Sequence, residues 1–308
     1  VFNYFIYFMV LLILKKEKNF LPGEKISEME KNFSNWPRSH GGFSSMRFSS
    51  LDLINKNNVG KLKLAWQFNS NDGKKGIQAN PVVYEGMVYL PTPGNNIVCL
   101  DGTNGKVIWK YETERGYNAA KRGLLIWKDE KNNTLRLYFT NDDQLISLNA
   151  KTGKPIKSFG HNGIVKIGSS PIPPAIIDNK LIIGTFRPSI EAYDIENGKL
   201  YWKYYLREIS EENFGERDFK GGFPWGGLSA DTKNGIVYLS TGNPKPNFVG
   251  TLRPGKNLFA NSVIAFDVRN KKKLWHFQET CHDIWNYDIP APPILTTINK
   301  YGKRIDVV

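Results

Sequence analysis

Short apolar runs and turn residues alternate along most of this chain. Pro81-Val-Val-Tyr84, Met87-Val-Tyr-Leu90, Asn96-Ile-Val-Cys-Leu100 and Val107-Ile-Trp-Lys110 are rich in β-branched and aromatic residues. Glu85-Gly86, a Pro/Gly/Asn turn and Gly102-Thr-Asn-Gly105 separate them. Runs of this length between such punctuation read as four β-strands joined by tight turns. The same succession returns over 123–158, 174–204 and 226–277. Each copy ends on one eleven-residue pattern: small residue, any residue, Asp or Asn, three residues, Gly, three residues, Trp. It stands intact at Cys99…Asp101…Gly105…Trp109 and Ala192…Asp194…Gly198…Trp202. Weaker copies read Ser147…Asn149…Gly153…Lys157 and Ala265…Asp267…Lys271…Trp275.

The copies start at 99, 147, 192 and 265, and so lie 48, 45 and 73 residues apart. The first two spacings suit a four-stranded propeller blade, and the third implies insertions. In each copy the Asp and Gly build the turn between the third and fourth strands, and the flat Trp suits packing between neighbouring blades. Trp66, closing Lys61-Leu-Lys-Leu-Ala-Trp66, reads as the tail of one more copy. A fifth unit opens at Pro292-Pro-Ile-Leu-Thr-Thr297 and reaches Val308 within its second strand. The expected fold is all-β: about four complete four-stranded blades plus part of a fifth, a portion of a longer propeller.

Residues 1–14 carry no charge and precede Lys15-Lys16-Glu-Lys18. Fourteen apolar residues are short for a membrane span and suit a signal-peptide core, with a retained anchor left open. Export to the periplasm, possible anchoring to the inner membrane and a polar linker over 15–34 follow as expectations. The net charge of +13 raises a nucleic-acid partner, but no basic run is denser than Lys271-Lys-Lys273, so a solvated surface is the reading adopted. Cys99 and Cys281 lie in different units, which allows one bridge but no disulfide framework.

Four loops beside first or second strands hold the unusual polar and aromatic residues: Lys121-Arg122-Gly123, Phe223-Pro-Trp225-Gly-Gly227, Thr241-Gly-Asn243-Pro, and Cys281-His282-Asp283-Ile-Trp285-Asn286-Tyr-Asp288. In a propeller such loops converge near the axis, so one central site is expected to collect them.

With these loops, the opening segment Trp36-Pro-Arg-Ser-His40-Gly-Gly…Arg47-Phe-Ser-Ser-Leu51…Ala65-Trp66 and the loop His282-Asp283-Ile-Trp285-Asn286-Tyr-Asp288-Ile-Pro290 resemble the quinoprotein dehydrogenases that depend on pyrroloquinoline quinone (PQQ). These are eight-bladed propellers that oxidise alcohols and aldose sugars, and the glucose dehydrogenase type is the most similar. The resemblance covers about residues 35–308, roughly half of a family member. It implies Asp283 as the general base as hydride passes to the quinone, Arg122 on the quinone oxygens, Trp225 stacked on the ring, and Asn243 with Asp283 on Ca²⁺. It also implies a quinone or cytochrome as electron acceptor.

The pattern departs from the family in two loops. Gly184-Thr-Phe-Arg187-Pro-Ser189 has no carboxylate where an acidic metal ligand is usual, and Asn286 stands where Asp is common. A non-catalytic repeat scaffold binding protein partners at the cell envelope is the alternative.

Overall fold

The computed structural model describes residues 34–73, 76–113, 120–206 and 220–308. Its repeats are antiparallel four-stranded sheets whose strands follow one another in sequence. The first blade is β1 (Val82–Tyr84), β2 (Met87–Pro91), β3 (Ile97–Asp101) and β4 (Val107–Tyr111). The second is β5 (Leu125–Asp129), β6 (Thr134–Asn141), β7 (Gln144–Asn149) and β8 (Ile164–Lys166). The third is β9 (Ala175–Ile177), β10 (Lys180–Thr185), β11 (Ser189–Asp194) and β12 (Leu200–Tyr205). Next, β13 (Lys220–Gly221) precedes the first two strands of the fourth blade, β14 (Leu228–Asp231) and β15 (Ile236–Ser240). Then β16 (Pro244–Lys245) pairs back with β13, and β17 (Ser262–Asp267) and β18 (Lys272–Gln278) complete that blade. A hairpin of β19 (Thr296–Lys300) and β20 (Lys303–Val307) forms the start of the fifth. Strand β9 is buried throughout while β12 alternates exposed and half-buried residues, so first strands lie innermost and fourth strands outermost.

The Trp–Gly pattern is the joint between blades. The Trp66 indole donates to Gly102 O at 3.0 Å, and the Trp109 indole donates to Ala150 O at 2.9 Å. Each ring lies against the glycine of the next copy, Gly105 or Gly153, at φ +72° and +70°. A Cβ there would sit 2.5 Å or 2.6 Å from the ring, so the glycine serves both the left-handed turn and the close approach. In the weaker fourth copy Lys271 still takes a left-handed φ of 54°, and Trp202 meets Phe266 with ring centroids 5.7 Å apart.

The second blade departs from the expected strand at 154–158. Pro155 makes one bridge to Leu148, after which the chain detours and returns as β8. Proline lacks the N–H that a continuing ladder needs. The place over Gly198 that a tryptophan would fill goes instead to Val165 and the buried Phe159.

The segment 36–45 runs along the inner edges of all five units. Trp36 pairs with Val83, Ile126 N donates to Pro37 O at 2.7 Å, and the Arg38 guanidinium donates to Pro174 O at 2.9 Å and Pro173 O at 3.2 Å. Farther on, Ala230 N donates to Phe43 O at 2.8 Å and Leu295 N to Ser44 O at 2.9 Å. These bonds occupy inner-strand groups that a propeller otherwise leaves open.

A second tie joins blades two and three. Arg136, paired with buried Asp129 at 2.9 Å, donates to Glu196 O at 2.9 Å. The two cysteines are free, Cys99 buried and Cys281 exposed, so the possible bridge is not made. Residues 1–14, and the linker except residue 34, lie outside the described residues. Among the described residues no helix is long and apolar enough to cross a membrane.

Candidate functional site

Arg122 stands on the turn 120–123 that leads into the second blade. That turn is fixed by Ala120 N donating to Thr140 O at 2.8 Å and Arg122 N donating to Pro171 O at 2.9 Å. Its guanidinium lies 4.4 Å above the centroid of the Trp225 ring. Burial lowers the Arg122 pKa from its ordinary value, and among the described residues no oxygen accepts from its side chain. Nearby, Ser39 Oγ accepts from Leu124 N at 3.2 Å, which sets the opening segment against this turn. Beyond it His40 has a buried Nδ1 without a hydrogen-bond partner. Burial, with Arg38, Arg47 and Arg122 adding positive charge, lowers its pKa to about 3, so the imidazole is neutral at neutral pH.

Trp225 and Asn243 are held together by the β13–β16 ladder and by Gly242 N donating to Phe223 O at 2.9 Å. One carboxylate oxygen joins the pair: Asp288 Oδ1 accepts from Trp225 Nε1 at 3.0 Å and from Asn243 N at 2.8 Å. Asn243 is buried, and its Nδ2 donates to Asn286 Oδ1. Asn286 Oδ1 also accepts from Asn247 Nδ2 at 2.6 Å. Among the described residues nothing donates to Asn243 Oδ1 or to the second oxygen of Asp288. Arg122, Trp225, Asn243 and Asp288 therefore form one continuous set of contacts.

Asp283, expected as the general base and a metal ligand, sits apart from this set of contacts. Only 2% of it is exposed, and its carboxylate serves its own loop. Oδ1 accepts from Trp285 N at 2.7 Å, while Oδ2 accepts from Tyr287 N at 2.8 Å and Asn261 Nδ2 at 3.1 Å. Three of the carboxylate's roughly four acceptor positions are thus taken within the protein, which favours bracing its own loop. Asp288, the residue that does reach the Trp225–Asn243 pair, carries no sequence signal that sets it above Asp283, the residue the resemblance points to, until the local capping of Asp283 is recognised. An Asp accepting from the N–H two residues on is an Asx turn, the expected behaviour of a loop aspartate.

Arg187 does not approach this set either. Its guanidinium stacks 5.1 Å from the centroid of Tyr205 on the outer strand β12. Glu191, the acidic residue nearest in sequence to that loop, is buried and paired with Lys203 at 3.2 Å.

The donor set suits a planar polyanion beside a hard cation. Among the described residues it offers a half-buried guanidinium without an acceptor, an indole face, an open amide oxygen and an open carboxylate oxygen. Among the described residues no group of three or more His, Cys, Asp or Glu side chains could by itself hold a metal ion.

A match to the family described as "PQQ: Glucose/ethanol/alcohol dehydrogenase, beta-propeller domain" spans residues 36–308. The chain belongs to the PQQ-dependent dehydrogenase family. It is 30% identical over 300 residues to the quinohemoprotein alcohol dehydrogenase ADH IIB of Pseudomonas putida, covering 86% of this chain and 42% of that protein. It is 31% identical over 300 residues to the dehydrogenase subunit of alcohol dehydrogenase (quinone) of Gluconobacter oxydans strain 621H, covering 82% of this chain and 38% of that protein. Among solved structures, the quinohemoprotein alcohol dehydrogenase from Comamonas testosteroni superposes with a TM-score of 0.73 at 27% identity, over 90% of this chain and 45% of that chain. This PQQ-family chain thus spans less than half the length of these relatives.

Proposed function

We propose that this chain supplies the cofactor-binding mouth of a PQQ- and Ca²⁺-dependent dehydrogenase that oxidises an alcohol or an aldose sugar. The observation that carries this reading is the continuous set Arg122–Trp225–Asp288–Asn243.

In this reading Trp225 offers its ring face to the planar cofactor and Arg122 holds the cofactor's oxygens. Asn243 Oδ1 would take Ca²⁺ beside the cofactor, next to the carboxylate of Asp288. When bound, PQQ supplies the two-electron acceptor that the protein's side chains lack, and the cation polarises it. The chain's own part is positional and acid–base. Asp288 is oriented through one oxygen by the Trp225 and Asn243 N–H groups. Its other oxygen is left to accept the proton of a substrate hydroxyl. The stacking of Arg122 on Trp225 is worth about 1–2 kcal/mol in a half-desolvated place, weak enough for a better partner to displace. Electrons pass on to a quinone or cytochrome, and the protein works in the periplasm.

The test is dye-coupled oxidation by the full-length protein loaded with PQQ and Ca²⁺, across alcohols and aldoses. Asp288→Asn is expected to lower turnover by about 10²–10⁴-fold through loss of the proton acceptor. Asp283→Asn is expected to act through loop stability and keep most of the turnover. Wild-type turnover in Asp288→Asn overturns the assignment of the base. No oxidation of any substrate by protein shown to hold PQQ overturns the enzyme reading.

A further inference from the structure

The long spacing before the fourth copy of the repeat belongs largely to a loop between β15 and β17, and that loop packs on the segment carrying Asp288. At its centre Arg253 is fully buried. Its guanidinium meets oxygens on three sides. Nε donates to Pro246 O at 3.1 Å, Nη1 to Asn257 Oδ1 at 2.5 Å, and Nη2 to the backbone carbonyl of Asp283. Asn257 is held in turn, its Nδ2 donating to Arg253 O at 2.8 Å. Among the described residues Arg253 makes no side-chain ion pair, and burial lowers its pKa while the nearby charge of Asp283 works the other way.

Burying an arginine this completely is costly unless its donors are used and a counter-charge is close. Here the inserted loop supplies two of the acceptors, and the segment 283–288 supplies the third together with the counter-charge of Asp283. The backbone carbonyl of Asp283 receives the guanidinium, and its carboxylate draws in the N–H groups of Trp285 and Tyr287. Asn261, the last residue of the inserted loop, donates through Nδ2 to both Asp283 Oδ2 and Tyr287 O. The loop's far end is tied by Asn247 donating to Asn286 at 2.6 Å, one residue beyond Pro246. These bonds hold residues one to five positions from Asp288, whose carboxylate must face Trp225 and Asn243.

We infer that Arg253 is a positioning residue. It clamps the inserted loop to the segment 283–288 and thereby sets Asp288 against the Trp225–Asn243 pair, with Asp283 as the clamp's internal anchor. This rests on the proposed function for its consequence, but the clamp itself is a property of the protein without any ligand. Lysine cannot replace it, because a single ammonium group lacks the fork that reaches three separate oxygens.

The test uses the full chain, its Arg253→Met and Arg253→Lys variants, and two measurements. Amide hydrogen exchange is followed peptide by peptide without cofactor, and PQQ binding is followed by tryptophan fluorescence at saturating Ca²⁺. The Arg253→Met variant is expected to exchange the amides of 283–288 at least about tenfold faster while β5–β7 and β9–β11 keep their protection. It is also expected to bind PQQ at least about tenfold more weakly. Arg253→Lys should fall between the two and serves in place of Arg253→Met if that variant does not fold. Unchanged exchange over 283–288 in either folded variant overturns the clamp. Faster exchange with unchanged PQQ affinity overturns the link from the clamp to Asp288. If the wild-type protein binds no PQQ, faster exchange still supports the clamp while the functional reading fails.

Discussion

Two glycines separate backbone strain from inter-blade packing. Gly86 and Gly153 have nearly the same left-handed φ, +76° and +70°. A Cβ on Gly86 would meet nothing within 4 Å, whereas one on Gly153 would sit 2.6 Å from the Trp109 ring. Substituting Ala at Gly86 therefore costs only the left-handed strain of an L-residue, about 1–2 kcal/mol. At Gly153 the same strain is joined by displacement of the indole. That breaks the Trp109–Ala150 hydrogen bond, worth about 1 kcal/mol, and loosens an indole whose complete loss costs about 3–5 kcal/mol. Gly153→Ala should lose about 2 kcal/mol more than Gly86→Ala, which at a urea slope near 2 kcal/mol/M separates the two midpoints by about 1 M. Urea unfolding followed by far-ultraviolet circular dichroism measures it. Coincident midpoints would show that the Trp–Gly contact does not hold the blades together.

Two further substitutions test the electrostatics of the frame. Asp72, from the loop after Trp66, takes hydrogen bonds from Thr92 at 2.5 Å, Asn96 at 2.9 Å and Gly94 N at 3.1 Å. Burial works to raise its pKa, but these bonds outweigh it and lower it from 3.8 to about 2. Because the folded value is depressed, the stabilisation is complete above about pH 4–5 and disappears as pH falls towards 2, so Asp72→Asn should flatten the acid limb of the stability–pH curve by on the order of 2 kcal/mol. An acid limb identical to wild type would refute this. Arg136→Met should cost about 3 kcal/mol by leaving Asp129 buried without its cation, and Asp129→Asn in the same chain should restore at least half. Strict additivity in the double-mutant cycle would contradict the coupling.

The repeat made the blades legible because period-two apolar runs, turn glycines and a Trp at fixed spacing all report the same unit. It failed over 154–166, where Pro155 diverts the chain and Phe159 fills a place that the pattern assigns to a larger ring. The segment 36–45 could not be placed from its pattern, since it binds through backbone edges and a buried Arg38 and has no apolar period. At the site, Arg122, Trp225 and Asn243 were recognisable as unusual loop residues, and the structure brings them into one chain of contacts with Asp288. The family resemblance points to Asp283 alone, whereas which aspartate faces Trp225 and Asn243 depends on which carboxylate the folded loop consumes. Two acids five residues apart in one loop look alike until the N–H groups of Trp285 and Tyr287 and the amide of Asn261 are placed. Arg253 was invisible for the same reason: its partners are backbone carbonyls and an asparagine, which leave no pattern in a sequence.

PQQ titrated into the full chain with Ca²⁺ present, with tryptophan emission as the signal, addresses the assembled site most directly. Saturable quenching that is lost in Trp225→Phe and weakened at least about tenfold in Arg122→Ala is the expected result. Equal quenching in wild type and both variants, or none in a folded wild-type chain, would contradict a cofactor mouth built on Arg122, Trp225, Asp288 and Asn243.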